Sequence, residues 1–221
     1  MMKKAFWQTS LTALGMAAVL GLQGCEFALI AGAAGGAITA FEDRRSSGTQ
    51  IDDEALELRT NNRVGERFVD KIHINANSYN RWVLLTGEAP DDATRAEIQK
   101  IVLALPNVRG VSNEIQIAPV TPMGSRANDS FITSKLKARY LDAGRVSPLH
   151  VKVATEAGVV YLMGVVTEQE AESAVEIART TSGVRKVVKI FEYCKATDEL
   201  CRPRSKAEPA KPAADPAKPA P

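Results

Sequence analysis

The side chains that most often carry out chemistry in proteins are scarce in this sequence. Its 221 residues include two histidines, His73 and His150, and three cysteines. A metal site or an acid–base pair at either histidine would require Asp, Glu or Cys partners at ligand spacing. The neighbouring sequence offers no such partners, so we predict that both histidines are structural. We also predict that the chain binds no metal and is not an enzyme.

The first cysteine lies in a motif for covalent lipid attachment. Two lysines precede a short apolar run at residues 11–22, which is typical of an export signal. This run is too short to span a bilayer, which requires about 20 residues. The sequence LQGC at residues 22–25 resembles a bacterial lipobox, which is cleaved before its cysteine. We predict a signal peptide at residues 1–24 and, on Cys25, diacylglycerol and an N-acyl chain, with no other cofactor. The alternative is an ordinary signal peptide that is followed by a chance cysteine.

The other two cysteines are close together in the sequence. Cys194 and Cys201 are seven residues apart, just after the last apolar segment. An exported protein enters an oxidising compartment, so we predict a disulfide between them. Closing so short a loop would contribute roughly 2–3 kcal/mol in the chain-entropy model. A redox role is the alternative, although it would more typically use Cys-x-x-Cys spacing.

The charge balance argues against nucleic acid as a partner. The chain carries 28 basic and 26 acidic side chains, and removal of the signal peptide with Lys3 and Lys4 leaves 26 of each sign. Nucleic-acid-binding domains are usually strongly basic, so we predict no such partner. Residues 202–221 hold six of the eleven prolines, and we expect this tail to be extended and disordered.

Two copies of one unit account for most of the remaining chain. The pattern around His73 recurs around His150 at an offset of 77, and residues 82–87 recur as 159–164. Each copy predicts the order helix, strand, strand, helix, strand, and hence an α+β fold in which helices pack on a small three-stranded mixed sheet. The predicted organisation is a signal peptide (1–24), a lipidated apolar leash and linker (25–50), a first domain (51–118), a linker (119–128), a second domain (129–193) and a cysteine-flanked loop with a Pro/Ala/Lys-rich tail (194–221). Each half is short for an independent core, so we expect the two to pack on each other.

Individual elements are predicted from spacing and from capping residues. The first domain begins with a helix at 53–69, turns between strands at 78–80, and ends with a strand at 108–117. Its second helix carries apolar residues at helical spacing, namely Ala93, Ala96, Ile101 and Leu105. In the second domain, Asp129 is predicted as an N-cap. The hairpin there turns at 156–158, and residues 167–170 (TEQE) predict a capping box.

The repeated pattern resembles the BON domain of bacterial periplasmic and osmotic-stress proteins. It consists of Ile/Val-x-Val/Ala, then Val-x-Leu-x-Gly, then a helix, then Gly/Asn-Val-x-x-Val, and it covers about residues 43–193. The combination of two copies and a lipobox is similar to that of dual-BON outer-membrane lipoproteins. This resemblance implies a non-enzymatic protein that binds anionic phospholipid through its second domain, gathers at division sites and supports envelope integrity. The resemblance does not extend to the Cys194–Cys201 pair or to the C-terminal tail, and it implies nothing about them.

One helix of the second domain contains a candidate lipid-binding face. At about 100° per residue, Phe131 lies roughly 140° from the centre of the face formed by Ile132, Leu136 and Tyr140. Lys135 lies within about 40° of Phe131, and Arg139 borders the same side. An exposed ring beside cations suits a membrane surface. The alternative is that Phe131 packs against the first domain.

The charges of the two domains agree with this assignment. Residues 51–118 have a net charge of −3, and residues 129–193 have a net charge of +1. An anionic surface should therefore prefer the second domain. Glu26, after the lipobox cysteine, favours the outer membrane, since Asp at that position tends to retain lipoproteins in the inner membrane. We predict an outer-membrane protein that faces the periplasm, with the membrane and its anionic phospholipids as partner. The alternative function is binding of an envelope protein or cell-wall regulator, and oligomeric state is left open.

Overall fold

The computed structural model describes residues 43–68, 72–198 and 201. The predicted signal peptide, Cys25, most of the predicted leash and the C-terminal tail lie outside the described residues. The described elements are α1 (Ser47–Arg67), β1 (His73–Tyr79), β2 (Trp82–Ala89), α2 (Asp92–Leu103), β3 (Gly110–Asn113), β4 (Gln116–Ile117), α3 (Met123–Ala143), β5 (Val151–Glu156), β6 (Val159–Val166), α4 (Glu168–Arg179) and β7 (Lys186–Tyr193).

Each repeat contains a hairpin and a third strand that runs parallel to the second strand of the hairpin. β1–β2 and β5–β6 are antiparallel pairs, whereas β3 pairs with β2 and β7 with β6 in parallel. A parallel pair needs a crossover connection, which α2 and α4 provide. The predicted α+β class, with helices on a small mixed sheet in each repeat, is confirmed. The strand predicted at 108–117 is interrupted and forms β3 and the short β4, which also pairs with β2.

A buried aspartate in α3 holds the hairpin turn of the second repeat. The Asp129 carboxylate accepts hydrogen bonds from the backbone N–H groups of Ala157 and Gly158, both at 2.8 Å. Both turn residues have positive φ, which the tight two-residue turn requires. The prediction of Asp129 as an N-cap is wrong, because α3 begins at Met123 and Asp129 lies inside the helix. Much of the segment predicted as a linker at 119–128 is therefore helical.

The first repeat contains the same arrangement. Asp53 in α1 accepts hydrogen bonds from the backbone N–H groups of Asn80 and Arg81, at 2.8 and 2.6 Å. These two residues also have positive φ and form the turn, later than the predicted 78–80, because residues 78 and 79 pair within the hairpin. Asp53 also pairs with the Arg45 guanidinium at 2.8 Å. α1 begins at Ser47, earlier than predicted, so Asp53 lies inside its helix as Asp129 does.

The core of the first repeat differs in part from the predicted set. Ile98 and Val102 of α2 are fully buried, whereas Ala93 and Ala96 are exposed. The helical period is as predicted, but the larger side chains face the core because they bury more apolar area than alanine. Ile117, in the short strand β4, is 43% exposed.

The core of the second repeat follows the prediction. Ile132, Leu136 and Tyr140 of α3 are buried against the sheet and α4. The predicted capping box at the start of α4 is present, with Thr167 and Glu170 each bonding the backbone N–H of the other. Because Ile132, Leu136 and Tyr140 bury one side of α3, the opposite side of this helix faces solvent.

Each sheet packs against its own helices on one face, and the two sheets pack against each other through their other faces. Alternate residues of β2 and β6 face the helices of their own repeat, and the residues between them meet in one shared cluster. This cluster includes Tyr79 and Leu84 from the first repeat and Tyr161, Met163 and Val165 from the second. The expected packing between the two halves is confirmed.

Two glycines at equivalent strand positions allow the hairpin strands to come close together. A Cβ on Gly164 would lie 2.3 Å from the backbone oxygen of His150, and a Cβ on Gly87 would collide with that of His73. Gly87 has φ of +109°, whereas Gly164 has no positive φ. The close approach of the neighbouring strand is therefore the feature that both positions share.

No helix within the described ranges combines the length and the apolar character that crossing a membrane would need.

Candidate functional site

Phe131 projects from the solvent side of α3. The buried residues of this helix lie on its other side, and the Phe131 ring is 62% exposed. The alternative that Phe131 packs against the first domain is therefore wrong. An exposed aromatic ring on a well-ordered helix can enter the boundary between lipid headgroups and acyl chains without unfolding the domain.

Lys135 lies one helical turn beyond Phe131 and pairs with it. Its Nζ is 4.7 Å from the centroid of the Phe131 ring and donates a hydrogen bond to the backbone oxygen of Ser182 at 2.9 Å. The ammonium therefore sits against both the ring and the loop that follows α4. This arrangement places a cation beside an apolar group, which is the combination that an anionic lipid surface would recognise.

Arg139, the third predicted lipid contact, has partners within the second domain. Its guanidinium donates to the backbone oxygen of Ile177 at 2.8 Å and to the hydroxyls of Thr181 and Thr180 at 2.5 and 3.1 Å. The C-terminal turn of a helix carries unpaired carbonyls and a partial negative charge, which a cation stabilises. Arg139 therefore fastens α3 to the end of α4, a role that helical spacing alone did not reveal.

Each histidine has a carboxylate beside it in the fold, although the neighbouring sequence offers none at ligand spacing. The Nδ1 atom of His73 lies 3.1 Å from Oε2 of Glu88, and that of His150 lies 3.4 Å from Oε1 of Glu170. Glu88 is His73's partner across the β1–β2 ladder, and Glu170 lies in the first turn of α4. The folded chain therefore pairs each histidine with a carboxylate that is distant from it in sequence.

In the second repeat, an arginine from the segment before α1 compensates the negative charge of Glu170 in the His150–Glu170 pair. Arg44 contacts both carboxylate oxygens of Glu170 at 2.8 and 2.9 Å and donates to the Val165 backbone oxygen at 2.8 Å. Burial alone would raise the pKa of Glu170, but the hydrogen bonds from His150, Arg44 and the Thr167 backbone hold that pKa well below its usual range. The segment before α1 is thereby fastened to the second domain.

The pair in the first repeat faces the second domain instead. Glu156, at the end of β5, places Oε1 4.0 Å from Nδ1 of His73. One ligand atom from each of His73, Glu88 and Glu156 lies within 4.8 Å of the others. Glu88 and Glu156 are both buried, at 4% and 6% exposed. Burial raises the pKa of Glu156, opposed by its hydrogen bond from Asn75 and by the charge of His73.

The remaining predicted site residues are the three cysteines. Cys194 and Cys201 form a bonded pair in the structure, with Cα atoms 6.1 Å apart, and Cys201 is 2% exposed. Both belong to the cluster that the two sheets share, so this loop closes over the interface between the domains. Cys25, the predicted lipid-attachment residue, lies outside the described residues.

Comparison with known proteins gives a consistent family. The profile of the BON domain matches residues 52–119 and 128–195. The chain is 38% identical over 183 residues to the outer membrane lipoprotein DolP of Haemophilus influenzae, covering 82% of this chain and 94% of that protein. It is 35% identical over 153 residues to the 21 kDa hemolysin of Actinobacillus pleuropneumoniae, covering 68% of this chain and 79% of that protein. It is 29% identical over 144 residues to the osmotically-inducible protein Y of Escherichia coli, covering 63% of this chain and 72% of that protein.

Proposed function

Because the chain belongs to the BON domain family and carries two BON domains in the manner of DolP-type proteins, we propose that it is a non-enzymatic lipoprotein of the outer membrane. In this proposal it faces the periplasm and binds anionic phospholipid through its second BON domain. Such binding would support the integrity of the envelope, including at division sites. The single observation that supports the lipid-binding part is the exposed Phe131 ring with the Lys135 ammonium beside it.

The anchor in this proposal is Cys25. The lipobox sequence at residues 22–25 would be cleaved before Cys25, which would carry diacylglycerol and an N-acyl chain. A single acyl chain gives only marginal membrane binding, and stable attachment takes at least two such signals. The acyl chains would therefore hold the protein at the membrane, and the face on α3 would add contact with headgroups.

The proposed lipid face consists of Phe131, Lys135 and Arg139. Phe131 would bury apolar area in the boundary region, and Lys135 would meet lipid phosphates. Arg139 would contribute mainly by holding α3 against α4, because its guanidinium is already bonded to Ile177 and the two threonines after it. The net charge of +1 over residues 129–193, against −3 over 51–118, also favours the second domain as the one that meets an anionic surface.

Flotation with liposomes tests this face when the anchor is removed. The mature chain with Cys25→Ser carries no acyl chain, so any flotation reports the folded surface alone. Liposomes of phosphatidylcholine with increasing fractions of phosphatidylglycerol supply the anionic series. We expect flotation of the Cys25→Ser chain to rise with the phosphatidylglycerol fraction and to fall with salt.

Two substitutions separate the roles of ring and cation. A basic residue near an anionic surface is worth about 1 kcal/mol, or about fivefold in affinity, so Lys135→Glu should weaken binding severalfold at low salt. This loss should shrink as the Debye length falls from about 30 Å at 0.01 M to about 10 Å at 0.1 M salt. Phe131→Ala should weaken binding at both salt concentrations, since apolar burial is not screened.

Matched controls make the result specific to this face. Lys137 is exposed on another side of α3, and Leu103 is an apolar residue of α2 that is 51% exposed. Lys137→Glu and Leu103→Ala should float as the unsubstituted chain does, with unchanged melting temperatures. Equal losses for Lys137→Glu and Lys135→Glu would contradict the assigned face. Absence of flotation at every phosphatidylglycerol fraction would contradict lipid binding and favour a protein partner instead.

A further inference from the structure

The contact between the two domains contains a histidine and two buried carboxylates. His73 and Glu88 face each other across the β1–β2 ladder of the first domain. Glu156, at the end of β5, approaches them from the second domain. We propose that His73, Glu88 and Glu156 bind one Zn2+ ion, which joins the two BON domains.

The distances suit a small tetrahedral ion. Zinc ligands lie about 2.0–2.2 Å from the metal, which places the ligand atoms of a tetrahedral site about 3.3–3.6 Å apart. Nδ1 of His73 is 3.1 Å from Oε2 of Glu88 and 4.0 Å from Oε1 of Glu156. All three ligand atoms lie within 4.8 Å of one another. A small rotation of the Glu156 carboxylate would bring it to coordination distance.

The negative charges of Glu88 and Glu156 favour a bound cation. Glu88 and Glu156 are almost fully buried, and buried carboxylates are costly unless a cation compensates their charge. Among the ion pairs of the described residues, each of these two carboxylates is paired with His73 and with no lysine or arginine. Lys152, which is also on β5, is paired with Glu57. One divalent ion would neutralise both carboxylates at once.

The surrounding hydrogen bonds already orient the two carboxylates. Asn75 donates from Nδ2 to Oε2 of Glu156 at 2.7 Å, which leaves Oε1 directed toward His73. Thr121 donates to Glu88 from its backbone N–H at 3.2 Å and from its hydroxyl. Partners of this kind fix the orientation of metal ligands, and their loss typically weakens metal affinity 10–100-fold.

The ligand set favours zinc over the other common divalent ions. Imidazole nitrogen together with carboxylate oxygen suits Zn2+, whereas Ca2+ and Mg2+ take six or more oxygen ligands or retain several waters. Three protein ligands leave the fourth position of a tetrahedral zinc site to a water molecule. This site involves neither Phe131 nor Lys135, so it is independent of the proposed lipid-binding function.

Calorimetric titration of the full lipidated chain in detergent with ZnCl2 tests the site. We expect one Zn2+ per chain, with a melting temperature that rises on zinc addition and does not rise with MgCl2. His73→Gln and Glu156→Gln should each weaken zinc binding at least tenfold. Each removes a ligand, and even the loss of a hydrogen-bond partner of a ligand costs about 10–100-fold in affinity. The matched control is His150→Gln, since His150 is the equivalent residue of the second repeat and its partner Glu170 is bonded to Arg44. It should bind zinc as the unsubstituted chain does.

The proposal fails if the folded chain shows no saturable binding near one zinc per chain. It also fails if His150→Gln loses as much affinity as His73→Gln, since that would place the ion elsewhere. Circular dichroism confirms that each variant is folded before titration. Crystals of the zinc-loaded protein give an independent measurement, because an anomalous peak at the zinc edge should lie between His73, Glu88 and Glu156. A peak at any other position, or its absence there, would overturn the assignment.

Discussion

Replacement of Asp129 tests whether the hairpin turn of the second domain depends on a buried carboxylate. Asp129 is 5% exposed and accepts two backbone hydrogen bonds of 2.8 Å, from Ala157 and Gly158. A hydrogen bond to a charged group contributes about 1.5–3 kcal/mol, and Asp129→Ala would leave two N–H groups without their acceptor. We therefore expect Asp129→Ala to lower the free energy of unfolding by about 3–5 kcal/mol. Asp129→Asn retains one acceptor oxygen and should lose about half as much.

Urea unfolding of the Cys25→Ser chain, followed by circular dichroism, measures this difference. Asp142 provides a matched control, because it lies on the same helix but is exposed. Asp142→Asn should change the free energy of unfolding by less than about 0.5 kcal/mol. An N-cap aspartate would contribute only about 0.5–2 kcal/mol. A loss below about 1 kcal/mol for Asp129→Ala would therefore refute the idea that this carboxylate holds the turn.

Two further predictions concern acid stability and the cysteines. The folded-state pKa of Glu170 is lowered by its bonds to His150, Arg44 and the Thr167 backbone, so its stabilising contribution is complete above the unfolded pKa of about 4.3 and is lost as the pH falls below it. Glu170→Gln should therefore lower stability at pH 7 and flatten the decline of melting temperature below about pH 4, and an unchanged decline would contradict this account. Thiol labelling of Cys25→Ser protein from the periplasm should detect Cys194 and Cys201 only after reduction, and full labelling before reduction would exclude the disulfide.

The sequence was sufficient to predict the fold because the repeat is supported at several levels. The offset of 77 aligns both hairpins, and the spacing of Ile132, Leu136 and Tyr140 correctly predicts the buried side of α3. Element ends were less predictable. Residues 123–128 contain little apolar periodicity, so the start of α3 could not be distinguished from a linker. Asp129 has the residue type of an N-cap, but its carboxylate instead bonds a turn 28 residues further along the chain.

The candidate sites were only partly predictable for a related reason. Exposure of Phe131 follows from helical geometry, which is local, and the structure agrees. The partners of Arg139 lie about 40 residues away, at the end of α4, and the cluster of His73 with Glu156 forms only when the two domains pack together. Such contacts depend on tertiary structure and leave no spacing signal in a single sequence.

The shared cluster between the two sheets makes each repeat depend on the other for burial of its apolar sheet face. Tyr79 and Leu84 of the first repeat are buried by Tyr161, Met163 and Val165 of the second. A single repeat would leave this apolar sheet face uncovered, and exposed patches of that kind promote self-association. We therefore expect a chain cut back to one repeat to self-associate through this face. At the offset of 77, the positions equivalent to Glu88 and Glu156 hold Val165 and Tyr79, so the two repeats present different residues to each other across this contact.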